Sequence, residues 1–317
     1  MNKTLYGKTA SGFFFQGRET HIVPRCDNRT MLTREEALVF LAEDLGINGV
    51  EKRLLDDKLG LLNDIIRSYH NFAPFQNLTL LSTEENDRAA PSAEQVKQDV
   101  LSGKGGLCMT QNFFVYFLLQ ALGYDVFLMS SDVSYPKNHV VVGARNVTEE
   151  DDVYLVEAGC GYPTFQAIPL NFPEESPAYE HSFIEYKFVR KGELIERQHR
   201  RGETRPLGPG QQPWDWRRYY DFTLLPREVE FFREPMNTVC TVPGTSPFLQ
   251  SLRVITFQED RLWAIKDWSL LVEQEDHTLK ETKIQSMSEM MAIIEDLAPK
   301  IDQAIVLKAL AQWQEVI

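Results

Sequence analysis

Cysteine is scarce in this chain of 317 residues, which contains only Cys26, Cys108, Cys160 and Cys240. The four are far apart, and none belongs to a Cys-x-x-Cys pair or to a compact cluster with histidine. That spacing provides neither a disulfide framework nor the ligand set of a metal site. Scattered thiols are typical of a reducing compartment, so the sequence predicts a cytoplasmic protein without a bound metal.

Positive charge and long apolar runs are also lacking. The chain has 33 Lys and Arg against 46 Asp and Glu, a net charge of -13, whereas nucleic acids and anionic membranes are bound by basic residues. The longest apolar run, Phe113–Leu119, is far shorter than the roughly 20 residues that span a membrane, and Phe13–Phe15 is too short for a signal-peptide core. We expect no nucleic-acid or membrane partner, and a monomer or weak homo-oligomer.

The spacing of apolar residues changes along the chain. Helical signals fill the first third, where Thr33 and Glu36 form a capping-box pattern. After Gly123, short β-branched runs separated by polar turns predict strands. The Pro-, Gly- and Arg-rich segment Arg200–Arg218 is typical of a long crossing loop or linker, and residues 259–260 are expected to turn a later hairpin. This order predicts an α+β fold with a β-rich centre.

The stretch Lys104–Asn112, KGGLCMTQN, places Cys108 directly after a glycine pair and at the start of an apolar helical run. A thiol at a helix N-terminus faces unpaired N–H groups and the positive end of the helix dipole, which favour thiolate over thiol. The pattern therefore indicates a sulfur nucleophile. The alternative is that Cys108 is a small hydrophobic residue of the core.

Two strand ends offer the partners that a nucleophilic cysteine needs, a base and an acceptor that orients the base. His139 begins the predicted strand HVVV, and Glu157 ends the predicted strand VYLVE. If the turn Asn146–Asp152 joins them as antiparallel neighbours, the two side chains meet at one sheet edge, which the Cys108 helix would abut. Alternatively, His139 is an ordinary strand-end histidine and Glu157 is solvated.

Several segments resemble motifs of the arylamine N-acetyltransferase family, which uses a Cys–His–acid triad. They are Lys104-Gly105-Gly106-Leu107-Cys108 with Asn112, Pro74-Phe75-Gln76-Asn77-Leu78, His139, Glu157-Ala158-Gly159-Cys160-Gly161 with Ile168-Pro169-Leu170, and Ser246-Pro247-Phe248 with Asn237. The chain departs from the family pattern where Lys104 replaces an arginine, Thr110 a glutamate or glutamine, Glu157 an aspartate and Cys160 an aromatic residue.

The resemblance implies a papain- or transglutaminase-like cysteine enzyme in three parts. These are an N-terminal helical bundle (1–123) with the nucleophile, a central antiparallel β-barrel-like domain (124–230) with the histidine and the acid, and a C-terminal α/β lid (231–317). It also implies that acetyl or a related acyl group passes from acyl-coenzyme A to an arylamine or hydrazine through an acyl-cysteine. Acetyl-coenzyme A would be a cosubstrate, and no cofactor would be tightly bound.

The resemblance assigns the site residues as follows. Cys108, His139 and Glu157 would be catalytic, and Gly106, Ser246 and Phe248 would contact the cosubstrate. Two other functions stay open: a cysteine hydrolase or amide synthase on the same fold, and a catalytically impaired binding homologue. The extra methylene of Glu157 supports the latter, because a poorer angle to the histidine would weaken the thiolate–imidazolium pair.

Two further features have alternative interpretations. A basic cluster could bind the anionic coenzyme or simply be a solvated loop; it comprises Arg197, Arg200, Arg201, Arg205, Arg217 and Arg218. Trp214 and Trp216 could line an aromatic acceptor pocket or anchor the loop to the core.

Overall fold

The computed structural model describes residues 31–202, 206–208 and 210–316. Helices dominate its first third: α1 (Arg34–Glu43), α2 (Val50–Asp56), α3 (Lys58–Phe72), α4 (Leu78–Leu81), α5 (Ala93–Leu101) and α6 (Cys108–Leu122), with the short strand β1 (Phe75–Gln76) between α3 and α4. The capping box predicted at Thr33 and Glu36 is confirmed. Gly123 ends α6 in the left-handed conformation, with φ 91°.

The centre of the chain forms one antiparallel sheet in the order β5-β4-β3-β2-β9-β8-β7-β6. Its strands are β2 (Asp125–Asp132), β3 (His139–Arg145), β4 (Val153–Val156), β5 (Ile168–Pro169), β6 (Tyr179–His181), β7 (Ile184–Lys191), β8 (Leu194–Arg201) and β9 (Trp214–Arg227). Helix α6 packs on β2 and β3 and on the helices α1 and α5, and most of its residues are buried.

The prediction of a long crossing loop or linker from Arg200 to Arg218 is wrong at both ends. Arg200 and Arg201 end β8, and β9 begins at Trp214 and pairs with β8 on one side and β2 on the other. The physical reason is the alternation of aromatic and polar residues in WDWRRYYDF, which suits a pleated strand with Tyr220 and Phe222 buried. The prolines and glycines before Trp214 concealed that pattern.

The C-terminal third forms a second antiparallel sheet, in the order β1-β10-β11-β12-β13. Its elements are β10 (Arg253–Gln258), β11 (Arg261–Lys266), β12 (Ser269–Glu273) and β13 (Leu279–Lys283), with the helices α7 (Arg233–Thr241), α8 (Met287–Leu297) and α9 (Gln303–Val316). The hairpin predicted at residues 259–260 is confirmed. Strand β13 was missed because most of its side chains are polar and exposed.

The strand β1 lies in the N-terminal third of the chain but belongs to this C-terminal sheet, where Phe75 pairs with Ile255. It brings the start of α6 close to both sheets, and Phe75, Leu107 and Cys108 form a small buried cluster there. The predicted division at residues 123 and 230 stays a prediction. The described residues include no helix that is long and apolar enough to cross a bilayer.

Candidate active site

Cys108 is the first residue of α6 and is 3% exposed. The residue before it, Leu107, makes no side-chain hydrogen bond that caps the helix. The N–H groups of the first helical turn therefore have no acceptor within the helix, and they lie at the end of α6 where Cys108 stands. The glycine pair has a steric reason. Gly105 has φ 65°, and a Cβ there would collide with the carbonyl oxygen of Pro74, which accepts a 3.1 Å hydrogen bond from the Gly106 N–H.

His139 and Glu157 lie together because β3 and β4 are antiparallel neighbours, with Val142 opposite Val156. His139 begins β3 and Glu157 follows the end of β4, so that His139 Nε2 is 2.8 Å from Glu157 Oε2. The exposed fractions are 2% and 0%. The two residues stand at one end of the interior strands of the sheet, and Glu157 is a buried partner of the histidine rather than a solvated residue.

The thiol of Cys108 meets the other side of this pair. Cys108 Sγ donates to the Asn138 carbonyl at 3.9 Å, and Cys108 and His139 line the same cavity and interact electrostatically. Since Nε2 of the ring is engaged by Glu157, Nδ1 is the nitrogen left for the thiol. Cys108, His139 and Glu157 therefore lie together, with the carboxylate bonded to Nε2 and the thiol in the same cavity as the ring.

Burial and charge oppose each other at His139. Burial alone would lower its pKa, but the charge and hydrogen bond of Glu157 and the contact with Cys108 prevail and raise the pKa to about 10. Burial would raise the pKa of Glu157, yet His139 and hydrogen bonds from Asn112 and the Gly159 N–H hold that pKa below its usual value. The pair is thus an imidazolium and a carboxylate near neutral pH.

Asn112 fixes Glu157 in place. Its Nδ2 donates to Glu157 Oε1 at 2.8 Å and to the Val140 carbonyl at 2.7 Å, while its Oδ1 accepts from the Ala158 N–H at 3.0 Å. Asn112 stands four residues after Cys108, on the same side of α6. The sequence reasoning treated it only as part of a signature, although the i, i+4 spacing was a signal for this role.

Gly159 packs closely against the residues around Cys108 and Glu157. A Cβ there would lie 2.9 Å from Asn112 Nδ2 and 3.0 Å from the Cys108 carbonyl oxygen. The Gly159 N–H also donates to Glu157 Oε1 at 2.9 Å. The absence of a side chain at this position lets the end of β4 pack directly on the first turn of α6.

His70 is a buried neighbour of Glu157 that the sequence reasoning missed. Its Nε2 lies 3.2 Å from the backbone oxygen of Glu157. Burial lowers its pKa to about 4 and outweighs the favourable bonds to Glu157, so this imidazole is neutral near pH 7. In the sequence nothing distinguishes it from the other polar residues of α3.

The cavity has a volume of about 520 Å³ and lies between the two sheets. The predicted residues Ser246 and Phe248 line it, and Phe248 packs edge-on to Phe75 with ring centroids 5.7 Å apart. Asn77 holds this loop, because its Nδ2 donates to the Phe248 and Ser251 carbonyls at 2.7 and 2.9 Å. Gly106 lies beneath the start of α6, where its carbonyl accepts from the Gln76 N–H at 3.2 Å.

The sequence of the chain matches a known family. A family model described as N-acetyltransferase matches residues 58–298. The chain belongs to this family. The predicted family and enzyme class are confirmed.

Individual relatives of this N-acetyltransferase are distant. It is 25% identical to the liver isozyme of arylamine N-acetyltransferase from Gallus gallus over 229 residues, 68% of this chain and 77% of the relative. It is 27% identical to a pineal gland isozyme from Gallus gallus over 284 residues, covering 83% and 90%. The solved Mycobacterium marinum arylamine N-acetyltransferase in complex with CoA superimposes with a TM-score of 0.70 at 18% identity, covering 88% and 99%. That likeness confirms the α+β fold.

The basic cluster does not act as one unit in this N-acetyltransferase. Arg197 is fully buried, and its Nη1 donates to Thr164 at 2.8 Å and contacts Cys160 Sγ at 3.4 Å. Arg200 bonds Glu185. Arg201 lines the cavity. Of the other members, Arg217 and Arg218 are exposed and Arg205 lies outside the described residues.

The two tryptophans also separate. Trp214 lines the cavity, whereas Trp216 stacks under Lys187 and Arg200, with distances of 4.8 and 4.5 Å to its ring centroid. Cys160, the second thiol in the cavity lining, is buried, and burial raises its pKa to about 12. The described residues contain no group of three or more His, Cys, Asp and Glu that could hold a metal ion.

Proposed function

We propose that this protein transfers an acetyl group from acetyl-coenzyme A to an arylamine or hydrazine through an acetyl-cysteine at Cys108. The observation that carries the proposal is the cavity in which the thiol meets the buried pair of His139 and Glu157. The names of the relatives support the reaction: they are arylamine N-acetyltransferases, and one was solved in complex with CoA. The cosubstrate and the amine are small molecules, and we propose the cytoplasm as the setting.

Before the first half-reaction the proton of Cys108 already lies on His139, which is an imidazolium, and the thiolate sulfur attacks the thioester carbonyl carbon. The backbone N–H of Cys108 stabilises the oxyanion, because it lies at the free N-terminus of α6. The new S–C bond forms as the bond to the coenzyme sulfur breaks, and the imidazolium protonates the departing coenzyme A. One thioester replaces another, so an activated sulfur is the main requirement.

In the second half-reaction the amine nitrogen attacks the acetyl carbon of acetyl-Cys108. His139 accepts a proton from the nitrogen, and the bond between carbon and sulfur breaks to regenerate the cysteine thiolate. Glu157 stabilises the imidazolium in both halves and keeps Nδ1 directed at the sulfur. The apolar lining limits water, which would otherwise hydrolyse the intermediate.

Ser246, Phe248 and the backbone of Gly106 contact the cosubstrate in this proposal. Ser246 and Phe248 line the cavity beside Arg253 and Lys266, which supply positive charge for an anionic coenzyme. We also propose that the three parts of the chain divide the work as the resemblance implies. Residues 1–123 carry the nucleophile, residues 124–230 carry the histidine and the acid, and residues 231–317 close the cavity.

Intact mass spectrometry after treatment with acetyl-coenzyme A tests the proposal. We expect one acetyl group on the full chain, located at Cys108, which disappears when an arylamine is added and appears on the amine. A binding homologue would take no acetyl group. A hydrolase would release free acetate at the same rate with and without the amine. A panel of acyl-coenzyme A donors in the same assay identifies the preferred acyl group.

A further inference from the structure

A buried cation without an anionic hydrogen-bond partner lies close to the candidate site. Arg197, on β8, is fully buried. Within the part of the chain that the structure describes, its guanidinium donates to uncharged acceptors: Thr164 Oγ1 at 2.8 Å, the Pro163 carbonyl at 3.1 Å and Cys160 Sγ at 3.4 Å. A guanidinium keeps its proton in proteins, so this charge is permanent. A permanent buried charge is costly unless another charge compensates it.

Glu157 is the anion that compensates Arg197. Burial alone would lower the pKa of Arg197, and the charges that oppose burial come from Cys160, Tyr220, Tyr186 and Glu157. Burial raises the pKa values of the first three, so of these four groups only Glu157 is negatively charged near neutral pH. The ring of Tyr186, whose centroid is 4.3 Å from the guanidinium carbon, adds a weaker cation–π stabilisation.

Arg197 is also close to His139. It stands directly opposite Tyr220 in the pairing of β8 with β9, and the Tyr220 ring lies 5.7 Å from the guanidinium carbon and 5.4 Å from the His139 ring. One ring contact therefore separates the two cations. The charge of Arg197 acts in this neighbourhood, because together with burial it lowers the pKa of His70, which bonds the backbone oxygen of Glu157.

The buried charges balance in the free enzyme but not after acetylation. With Cys108 as a thiolate and His139 as an imidazolium, two anions face two cations, because Glu157 and Arg197 supply the other pair. Burial lowers the pKa of His139, and the charge of Cys108 is one of the contributions that raise it, so acetylation of the sulfur removes part of that support. Of the two cations then left beside Glu157, only the imidazolium can lose a proton near neutral pH.

We propose that Arg197 is a positioning residue for the second half-reaction: its charge makes His139 give up a proton once Cys108 is acetylated, which leaves the ring as the base that the amine needs. The proton goes to the departing sulfur of coenzyme A, so the N–H bond of the imidazolium breaks as the S–H bond of the free coenzyme forms. The neutral ring then accepts a proton from the attacking amine, and the bond between acetyl carbon and sulfur breaks to restore the thiolate. The inference rests on the proposed acetyl transfer.

The other groups around His139 do not provide this charge. Ser131, opposite His139 on β2, is uncharged, and Tyr220 on β9 and His70 on α3 are neutral near pH 7. The cavity lining also contains neutral groups whose pKa values are raised by burial: Cys160, Tyr162 and Tyr219. The cations of the lining are the half-buried Arg201 and Arg253 and the exposed Lys266. Solvent in the cavity screens their charges more than the charge of the fully buried Arg197.

Single-turnover deacetylation tests the proposal. Full-length protein is acetylated with acetyl-coenzyme A, freed of the coenzyme and mixed with an arylamine at a series of pH values. We expect Arg197→Met, which removes the charge, to shift the midpoint of the rate profile upward by about one pH unit, so that the rate below the midpoint falls roughly tenfold. Arg197→Lys keeps the charge and should keep the midpoint. Arg190→Met is the matched control, because the Arg190 guanidinium donates to the Leu170 and Phe172 carbonyls, and it should leave the profile unchanged.

Alkylation of Cys108 by iodoacetamide separates charge from packing. In the free enzyme Arg197 acts in opposite senses on the thiolate and on the imidazolium, so the alkylation rate of Arg197→Met should stay within several-fold of wild type. A variant that merely loosens the site would slow alkylation and deacetylation alike and leave the pH midpoint unchanged. That result would overturn the proposal.

Nitrogen NMR of His139, in protein whose Cys108 is blocked by iodoacetamide, keeps the test independent of acetyl transfer. The thioether is uncharged, as acetyl-cysteine is, so the His139 ring should be neutral near pH 7 in blocked wild type, and its titration midpoint should be about one unit higher in Arg197→Met. An imidazolium at neutral pH in blocked wild type would overturn the proposal even where Arg197→Met does not fold.

Equal midpoints in wild type and Arg197→Met, or an Arg197→Lys protein that behaves like Arg197→Met, would also overturn it. If wild-type Cys108 takes no acetyl group, the proposed function fails, while the shifted NMR titration would still support the role of Arg197.

Discussion

The two ends of the cavity differ in how completely the protein satisfies its own polar groups. At the Cys108 end, Glu157 Oε1 accepts from Asn112 and the Gly159 N–H, and Oε2 bonds His139. At the far end, the donors of Arg201 and Trp214 have no acceptor among the described residues. At the Cys108 end the protein itself holds the side chains in place before any ligand binds, as catalysis requires. At the other end the shielded donors stay unpaired until a ligand supplies an acceptor. The comparison predicts that substitutions at one end change the chemistry and that those at the other change selectivity.

The largest effect is expected at the sulfur. Cys108→Ser should lower arylamine acetylation by at least about a thousandfold, because a hydroxyl is a far weaker nucleophile than a thiolate. Cys160→Ser is the matched control, since Cys160 lines the same cavity but is a buried thiol with a pKa raised to about 12. Its rate should stay within several-fold of wild type. Equal losses in both variants, measured by initial rates, would contradict the assignment of Cys108.

Glu157→Gln should have the next largest effect. The amide keeps the shape of the side chain but removes the charge that raises the pKa of His139, and it can donate to the ring nitrogen and favour the wrong tautomer. We expect acetylation, and alkylation of Cys108 by iodoacetamide, to slow by about a hundredfold or more. Glu196→Gln changes another buried carboxylate, which bonds Lys191 and Gln198 away from the thiol, and should leave both rates near wild type.

The pH dependence of stability should separate the two histidines around Glu157. His139 has a raised pKa, so its stabilisation is fully present below pH 6.5 and declines as pH rises to about 10. His70 has a lowered pKa, so its stabilisation is present above pH 6.5 and declines as pH falls toward about 4. His139→Gln should flatten the fall of Tm on the alkaline side, and His70→Gln the fall on the acidic side, each by a few °C. Identical Tm profiles for the two variants would show that the environments do not differ.

Local patterns predicted much of the fold. The capping box at Thr33, the helix that begins at Cys108 and ends before Gly123, and the hairpin at residues 259–260 depend on side chains near in sequence, and all are present. The strand β9 was missed because the prolines and glycines before it resemble a loop. Its pairing with β2 and β8 is a contact between segments distant in sequence, and no local signal records it.

The candidate site shows the same division. Cys108, His139 and Glu157 could be chosen from the sequence, since each stands at the end of an element and matches a motif. The roles of Asn112 and His70 and the different fates of Arg197 and Arg201 could not. A buried arginine and one facing a cavity have the same letter, and only the packing of β8 against its neighbours distinguishes them.

By itself the sequence determined which residues could carry the chemistry: a thiol placed at a helix start by two glycines, and a histidine and a carboxylate at strand ends. Periodicity and capping act over a few residues and are encoded locally. The tertiary structure alone decided that these groups meet, that β1 joins the C-terminal sheet, and that Arg201 and Trp214 face the same cavity. Strand order and burial arise from contacts across the whole chain, and they set the charge of His139 and the polarity of the far end of the cavity.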